Sequence, residues 1–136
     1  MNVVVCLDDR LGMTFNGRRQ SRDRVLCEDV IKDAAGGTLL MAEFSKNLFL
    51  PMDAPFICAE DFLDMAKEGD TCFVENRPLS SYADKIERLV IYRWNRHYPS
   101  DMTFDIIPEG EGFRLVETKE FAGSSHEKIT KEIYVK

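Results

Sequence analysis

The sequence predicts a three-layer α/β domain with a mostly parallel central sheet and antiparallel C-terminal strands. The chain opens on a continuous apolar run, MNVVVCL, which is typical of a strand buried on both faces of a parallel sheet. Short apolar runs then alternate with segments of helical periodicity. The last third instead contains hydrophobic runs joined by turn residues, which is typical of antiparallel pairing. The 136 residues, 44% of them apolar, fit one domain, residues 1–136.

Start and stop signals define the first helices. Ser21 is a candidate N-cap for a helix whose apolar residues recur at helical spacing from Val25 to Ala34, and the glycines at 36 and 37 end it. The strand TLLMA follows directly. Ser45 then begins one short helical turn, and the prolines between residues 50 and 55 interrupt any longer element.

Further βα units are predicted in the middle of the chain. The segment AEDFLDMAKEG has acidic residues in its first turn, Lys67 near its end and Gly69 as a stop, so it predicts a third helix. TCFVE predicts a strand, SSYADKIE a short helix and RLVIYRW another strand. This alternation of strands and helices favours parallel pairing.

The C-terminal third predicts an antiparallel edge of the sheet. MTFDII precedes the turn PEGEG, and the runs GFRLVETKEFA and EKITKEIYVK are joined by GSS. Ile129, Ile133 and Val135 share one face of the last run, but Thr130 to Glu132 break strict alternation. That break predicts a β-bulge.

Composition excludes several classes of protein. No run of about 18 apolar residues exists and the N-terminus turns acidic early, so neither a membrane span nor a signal peptide is predicted, and we expect a cytoplasmic protein. The 18 basic and 24 acidic side chains leave a net charge of −6, which argues against general nucleic-acid binding. Two isolated histidines predict no metal site. They also exclude a ribonuclease Z-type hydrolase, which needs an HxHxDH cluster.

A concentrated basic loop follows the first predicted strand. The stretch LDDRLGMTFNGRRQSRDR contains five arginines, at positions 10, 18, 19, 22 and 24. In open α/β sheets ligands bind beyond the carboxyl ends of the strands, and arginine can hold a carboxylate or phosphate at two points. An anionic ligand is one interpretation. Salt bridges to the nearby acids Asp8, Asp9, Asp23 and Glu28 are the other.

For one predicted turn and for both histidines, a structural role is favoured over a catalytic one. Asn16 and Gly17 are predicted to form a turn. His97 is a candidate general acid in the polar segment Asn95 to Tyr98, but a solvated loop is the favoured interpretation. For His126, beside the GSS segment, a catalytic role is likewise not the favoured interpretation. No catalytic residue is therefore predicted.

In this order and spacing the segments resemble the dihydrofolate reductase fold family. VVVCLDDRLGM is similar to the family's first strand and the loop that enters the substrate site, and LLMAEFSKNLF is similar to its second strand and following helix. KIERLVIYRW, DMTFD and FRLVETKEFAGSSHEKITKEIYVK resemble its C-terminal strands, including a single histidine before the last one. The short region between Ala42 and Ala59 implies that much of the outer cofactor half is missing.

The family's NADPH fingerprint is absent from the chain. These reductases hold NADPH with a Gly-Gly pair after the strand that TCFVE resembles, because only glycine lets the backbone approach the pyrophosphate closely. Here that position is ENRP, from Glu75 to Pro78, and the family's Met-Gly-Arg pattern is MAE, from Met41 to Glu43. GRRQ replaces the family's Pro-Trp. The sequence therefore argues against hydride transfer from NADPH and leaves the cofactor unknown.

One leading hypothesis and two alternatives follow. The leading hypothesis is a dihydrofolate reductase-like protein that binds a small anionic ligand, nucleotide-like or pterin-like, through Asp9, Arg18, Arg19 and Asp23. Asp23 is the nearest match to the family's acidic residue on the first helix, and Glu28 is the next. The alternatives are an NADPH-dependent reductase of a nonstandard substrate, and a non-catalytic interaction module that forms a homodimer through the C-terminal strands.

Overall fold

A seven-stranded sheet forms the centre of the protein in a computed structural model that describes all residues, 1–136. From one edge to the other its strands are β5 (Ile57–Cys58), β4 (Leu39–Met41), β6 (Thr71–Val74), β1 (Asn2–Leu7), β7 (Arg88–Arg93), β10 (Ile129–Val135) and β9 (Arg114–Phe121). The strands from β5 to β7 are parallel, whereas β10 is antiparallel to β7 and β9 is antiparallel to β10. The predicted fold class is confirmed.

The N-terminal apolar run lies at the middle of this sheet. β1 pairs with β6 on one side and β7 on the other, and Val3, Val4 and Val5 are fully buried. Because successive side chains point to opposite faces, Val4 belongs to one apolar cluster and Val3 and Val5 to the other. Each valine buried in this way stabilises the fold by about 1.5 to 3 kcal/mol. Both faces are covered, so the run needs no polar alternation.

The two faces of the sheet have different covers. On one face α1 (Arg24–Asp33) and α2 (Lys46–Phe49) bury Leu26, Val30 and Phe49 against the strands. On the other face lie the four-residue α3 (Phe62–Met65), the 3₁₀ helix Ser80–Lys85 and loops that contribute Phe104 and Phe113. None of the helices has the length and apolarity that crossing a membrane requires.

The third helix is shorter than the sequence predicts. Ala66 already has extended backbone angles, and the N–H of Lys67 donates to the Asp70 carboxylate at 3.0 Å. The same carboxylate accepts the N–H of Thr38 at 3.1 Å. Asp70 therefore ties the chain before β6 to the chain before β4, and this turn chemistry ends the helix early.

A small second sheet lies beside the first one. It consists of β3 (Arg18–Arg19), β2 (Gly12–Phe15) and β8 (Met102–Thr103), and the predicted Asn16-Gly17 turn joins β2 to β3. Both turn residues have positive φ, 52° and 72°, which is the conformation that tight hairpins require. The basic segment of the sequence is thus one strand of a hairpin rather than an open loop.

Two local predictions need correction. Asp23 is the N-cap of α1, because its Oδ1 accepts the N–H of Leu26 at 3.2 Å, so the prediction of Ser21 in that role is wrong. The irregularity in the last strand lies between Ile133 and Tyr134, one residue beyond the predicted bulge. The first error arises because Asp23 is also fixed by the N–H groups of Ser124 and Ser125, which lie about 100 positions away in the chain.

Candidate functional site

The β2–β3 hairpin and the loop between β9 and β10 meet at the carboxyl end of the parallel strands. Asp8 follows β1 and Glu75 follows β6, and each binds a side chain of the hairpin segment. The β9–β10 loop reaches the same region through hydrogen bonds to Asp23. In sheets of this topology, this is the end at which ligands bind.

Asp8 fixes the base of the hairpin. Its Oδ1 accepts the backbone N–H groups of Arg10 at 2.8 Å and Gly12 at 2.7 Å, and its Oδ2 accepts the Gln20 amide at 2.9 Å. Burial alone would raise the pKa of Asp8, but these three hydrogen bonds hold it below its ordinary value. Asp9, the neighbouring residue, is exposed. Of the two neighbouring aspartates, Asp8 therefore has the structural role.

Arg19 is held in place by a carboxylate under the hairpin. Its Nε and Nη2 donate to the two oxygens of Glu75 at 2.6 and 2.8 Å, and Nη2 also donates to the Phe44 carbonyl at 2.9 Å. Its guanidinium lies 4.9 Å from the centre of the Phe44 ring. Ser45 donates a further hydrogen bond to Glu75 at 2.7 Å. The positive charge of Arg19 is thus paired before any ligand arrives.

The two neighbouring arginines are not paired in this way. Arg18 and Arg22 are exposed, and their guanidinium groups make no hydrogen bond or ion pair with the protein. We call the cleft that they share with Arg19 the arginine cleft. It has a volume of about 350 Å³ and is lined by Gly17, Arg18, Arg19, Ser21, Arg22 and Phe44. None of these residues is acidic, so the cleft is positively charged.

A second cleft adjoins the arginine cleft and shares Arg18 and Arg19 with it. It measures about 320 Å³, and its other lining residues are Phe15, Asn16, Gln20, Tyr98 and Pro99. A smaller cleft of about 140 Å³ lies between α1 and α2, where Asp23 and Cys27 face Leu48 and Met52. The two larger clefts reach the volume that small organic ligands need, about 300 Å³ or more.

Asp23 is a buried hub that joins distant parts of the chain. Besides capping α1 it accepts the N–H groups of Ser124 at 3.0 Å and Ser125 at 2.8 Å, and its Oδ2 lies 3.0 Å from Nδ1 of His126. Burial alone would raise the pKa of Asp23, but the hydrogen bonds from His126, the two serines and Leu26 hold it well below its ordinary value. The carboxylate is therefore ionised and fully used within the protein.

Gly123 allows the β9–β10 loop to approach Asp23. A Cβ atom at this position would lie 2.2 Å from Asp23 Oδ2 and 2.8 Å from Ile129 Cδ1. We expect Gly123→Ala to lower the free energy of unfolding by about 1 to 3 kcal/mol, because the loop must move off the carboxylate. Urea unfolding measures this change. Gly110→Ala is the control, because its Cβ would meet nothing closer than 3.8 Å, and equal losses in both variants would contradict the close contact.

His126 connects Asp23 to two hydroxyl groups. Its side chain is 3% exposed, and the ring stacks on Trp94 with 4.5 Å between centroids. Nε2 lies 2.9 Å from Ser21 Oγ and 3.3 Å from Tyr98 Oη. The Asp23 carboxylate favours the tautomer in which Nδ1 carries the hydrogen, and in the neutral imidazole Nε2 then accepts from a hydroxyl. Ser21 is half-buried and lines the arginine cleft.

Comparison of the whole chain with solved structures identifies the architecture. Dihydrofolate reductase from Enterococcus faecalis, complexed with NADP(H) and RAB-propyl, superposes with a TM-score of 0.69 over 98% of this chain and 94% of the other, at 11% sequence identity. The chain has a dihydrofolate reductase-like fold. No family model and no curated protein matches the sequence. At this identity the superposition establishes the fold alone.

The residues of this dihydrofolate reductase-like chain do not fit NADPH at the position where the family holds its pyrophosphate. Glu75 directly follows β6, where the resemblance places the family's first glycine, and its carboxylate is bound to Arg19 and Ser45. Further along the same segment, the N–H groups of Leu79 and Ser80 bind the carboxylate of Asp105 at 2.8 and 3.1 Å. The Glu75 carboxylate would repel a phosphate here, and two backbone donors of the segment are already used within the protein.

The structure brings together only part of the predicted ligand set. Arg18 and Arg19 line the same cleft, as the leading hypothesis requires. Asp9 does not line it, and the carboxylate of Asp23 is turned to the β9–β10 loop. No group of three or more His, Cys, Asp or Glu side chains is placed to hold a metal ion.

Sequence reasoning missed Ser21 and His126 as site residues. The two lie 105 positions apart in the chain, and His126 stands in a short polar turn whose only acidic neighbour, Glu127, is not its partner. Only an expectation that the last hairpin folds back over the start of α1 would have suggested the contact.

Proposed function

We propose that this protein binds a small anionic molecule in the arginine cleft. The observation that carries the proposal is the pair of unpartnered guanidinium groups of Arg18 and Arg22 beside the fixed guanidinium of Arg19. Arginine binds carboxylates and phosphates through two parallel hydrogen bonds, and a cleft without acidic lining costs such an anion no repulsion. Phe44, which lines the same cleft, adds a flat apolar surface for a ring or chain.

The three arginines of the cleft have different roles. Glu75 neutralises Arg19 and holds it against Phe44, so Arg19 shapes the wall of the cleft. Arg18 and Arg22 supply the net charge. Because both are exposed, the attraction is screened by salt, and binding should weaken as ionic strength rises above about 0.1 M. Asp9 and Asp23, which the sequence suggested as further contacts, are not needed for this proposal.

Thermal unfolding tests the proposal with inorganic phosphate, succinate, AMP, ATP, folate and NADPH as probes. A ligand at a hundred times its Kd stabilises the folded protein by about 2.7 kcal/mol, which raises Tm by several degrees. We expect at least one small anion to do so, and Arg18→Ala with Arg22→Ala to abolish the shift. The control is Arg10→Ala with Arg114→Ala, which removes two exposed positive charges outside the cleft. Equal behaviour of the two double variants would contradict the proposal.

The same panel separates the two alternatives. Stabilisation by NADPH alone, unaffected by either double variant, would favour a reductase that holds the cofactor elsewhere. A silent panel together with a dimer in solution would favour the interaction module. That alternative draws support from β9, an edge strand on which Leu115 and Val116 are 48% and 46% exposed. Further along the same strand Glu117, Lys119 and Glu120 are charged, and charged side chains on an edge strand oppose such pairing.

A further inference from the structure

We propose that Ser21, His126 and Asp23 form a nucleophilic triad that hydrolyses carboxylic esters of small anionic acids held in the arginine cleft. The proposal rests on the anion binding proposed above and adds a reaction to it. It starts from a juxtaposition of three side chains that no other part of the molecule repeats. Asp23 Oδ2 lies 3.0 Å from His126 Nδ1, and His126 Nε2 lies 2.9 Å from Ser21 Oγ.

These distances assign a role to each residue. A carboxylate on Nδ1 fixes the tautomer and the orientation of the imidazole, and the free Nε2 can then take the proton of the serine hydroxyl. Asp23 is a positioning residue, because it acts on the substrate only through His126. Its own position is over-determined by the N–H groups of Leu26, Ser124 and Ser125, so the imidazole is held firmly.

The exposure of the three residues suits a surface reaction with a protected base. His126 and Asp23 are buried, with side chains 3% and 0% exposed, whereas Ser21 is half-buried and lines the arginine cleft. A substrate in the cleft therefore meets the Ser21 hydroxyl first, with His126 Nε2 lying 2.9 Å behind its oxygen. Trp94 covers one face of the His126 ring and keeps it in place.

The surroundings of Ser21 are suited to negative charge. Arg22 follows Ser21 directly, and its backbone N–H has no acceptor in the protein, so it is free to bind the oxygen that becomes negative when the ester is attacked. The side chains of Arg18 and Arg22 are available to the remote carboxylate of the acyl group. These features predict an ester whose acyl chain ends in an anion a few bonds from the carbonyl.

The reaction balances with water as the only co-reactant. Ser21 Oγ attacks the ester carbonyl while its proton moves to His126 Nε2, and the tetrahedral intermediate collapses as the ester C–O bond breaks. The leaving alkoxide takes the proton from Nε2, which frees an alcohol and leaves an acyl-serine. Water then attacks the acyl group and gives one proton to Nε2. The bond between the acyl carbon and Ser21 Oγ breaks, Oγ takes the proton from Nε2, and the free acid departs.

Tyr98 competes with Ser21 for the same nitrogen. Its hydroxyl lies 3.3 Å from His126 Nε2, against 2.9 Å for Ser21, so the serine makes the shorter contact. When Nε2 carries the proton during the reaction, it can donate to either hydroxyl oxygen. Tyr98 also lines the adjoining cleft, and so it marks the second side from which a substrate can approach.

Labelling with a neutral fluorophosphonate tests the nucleophile independently of the arginines. This reagent forms an Oγ–P bond with an activated serine and releases fluoride, and mass spectrometry of the digested protein locates the adduct. We expect Ser21 to be labelled and His126→Gln to prevent it. Ser81, an exposed serine without a histidine partner, is the internal control. Labelling of Ser21 at the rate of Ser81, in folded protein, would overturn the triad.

Ester hydrolysis tests the substrate class. The probes are 4-nitrophenyl hydrogen succinate and its neutral counterpart 4-nitrophenyl butyrate, in which a methyl group replaces the carboxylate. We expect Ser21→Ala to lower kcat by about 100-fold or more, and Ser81→Ala to leave it unchanged. Asp23→Asn should lower kcat and change its pH profile, because the imidazole loses the carboxylate that orients it, whereas a smaller amount of folded protein would lower the rate by the same factor at every pH. Circular dichroism verifies that each variant is folded.

The outcomes separate the two proposals. A higher kcat/KM for the succinate ester, lost in Arg18→Ala with Arg22→Ala, would support both. Labelled Ser21 with equal rates for the two esters would keep the triad and overturn the anionic substrate. Stabilisation by anions without labelling of Ser21 and without an effect of Ser21→Ala would keep the binding function and overturn the triad.

Discussion

Asp23→Ala is expected to lower the free energy of unfolding by about 3 to 5 kcal/mol at pH 7. The substitution leaves four donors without their acceptor: the N–H groups of Leu26, Ser124 and Ser125, and the ring of His126. It also removes the cap of α1, which is worth about 1 kcal/mol by itself. Urea unfolding at pH 7 measures the loss.

The destabilisation caused by Asp23→Ala should become smaller as the pH falls. The folded state holds the pKa of Asp23 well below the value of about 3.9 in the unfolded chain, so the unfolded state binds more protons on acidification. The stabilisation is fully present above pH 5 and is lost as the pH falls below the unfolded pKa. Between pH 7 and pH 3 the difference between the wild type and Asp23→Ala should shrink by about 1 kcal/mol.

Asp9→Ala is the matched control for this prediction. Asp9 is also an acid near the hairpin, but it is exposed and its carboxylate makes no hydrogen bond. We expect a change within about 0.5 kcal/mol for Asp9→Ala at either pH. A loss for Asp23→Ala that is equally small, or one that grows as the pH falls, would contradict the role of Asp23 as an ionised hub.

Glu75→Ala should cost about 3 to 5 kcal/mol, because it leaves the charge of Arg19 unpaired under the hairpin. The pair makes two hydrogen bonds of 2.6 and 2.8 Å, and the Glu75 and Arg19 side chains are 9% and 20% exposed. The double variant Arg19→Ala with Glu75→Ala should cost less than the sum of the two single variants, with a coupling of about 1.5 kcal/mol or more. Chemical unfolding of all four proteins measures this cycle.

Arg24 and Glu28 provide the control cycle. They also form an Arg–Glu pair, at 2.9 Å, but their side chains are 67% and 46% exposed on one turn of α1. A surface pair at this helical spacing couples by only about 0.3 to 0.5 kcal/mol. Equal coupling in the two cycles would mean that water screens the Arg19–Glu75 pair as fully as a surface pair, and that Glu75 does not hold the wall of the arginine cleft.

Local patterns were informative wherever burial imposes a regular period. The run Val3 to Val5 is buried on both faces, and this requirement alone makes β1 readable as a central strand. The Asn16-Gly17 turn is readable because few other residues accept its positive φ angles. The third helix was overestimated for the opposite reason: the carboxylate of Asp70 competes for the N–H of Lys67, and helical periodicity carries no sign of that competition.

The basic segment shows what a pattern of charged residues can and cannot predict. Five arginines near the end of the first strand suggested an anion site, and Arg18 and Arg19 do line one cleft. Whether an arginine is free or paired depends on which acid lies beside it in space. Arg19 meets Glu75, 56 positions away, while Arg22 next to Asp23 has no partner. Proximity in the sequence was therefore a poor guide to ion pairing.

By itself the sequence determined the α/β class, the buried first strand and the antiparallel C-terminal hairpin, because side-chain burial repeats with the period of each element. Only the tertiary structure decided that Ser21, Asp23 and His126 lie within hydrogen-bonding distance, and that the capping role falls to Asp23. The physical reason is that the β9–β10 loop returns across more than 100 residues to reach α1. Such contacts depend on how the sheet closes, and no local period encodes them.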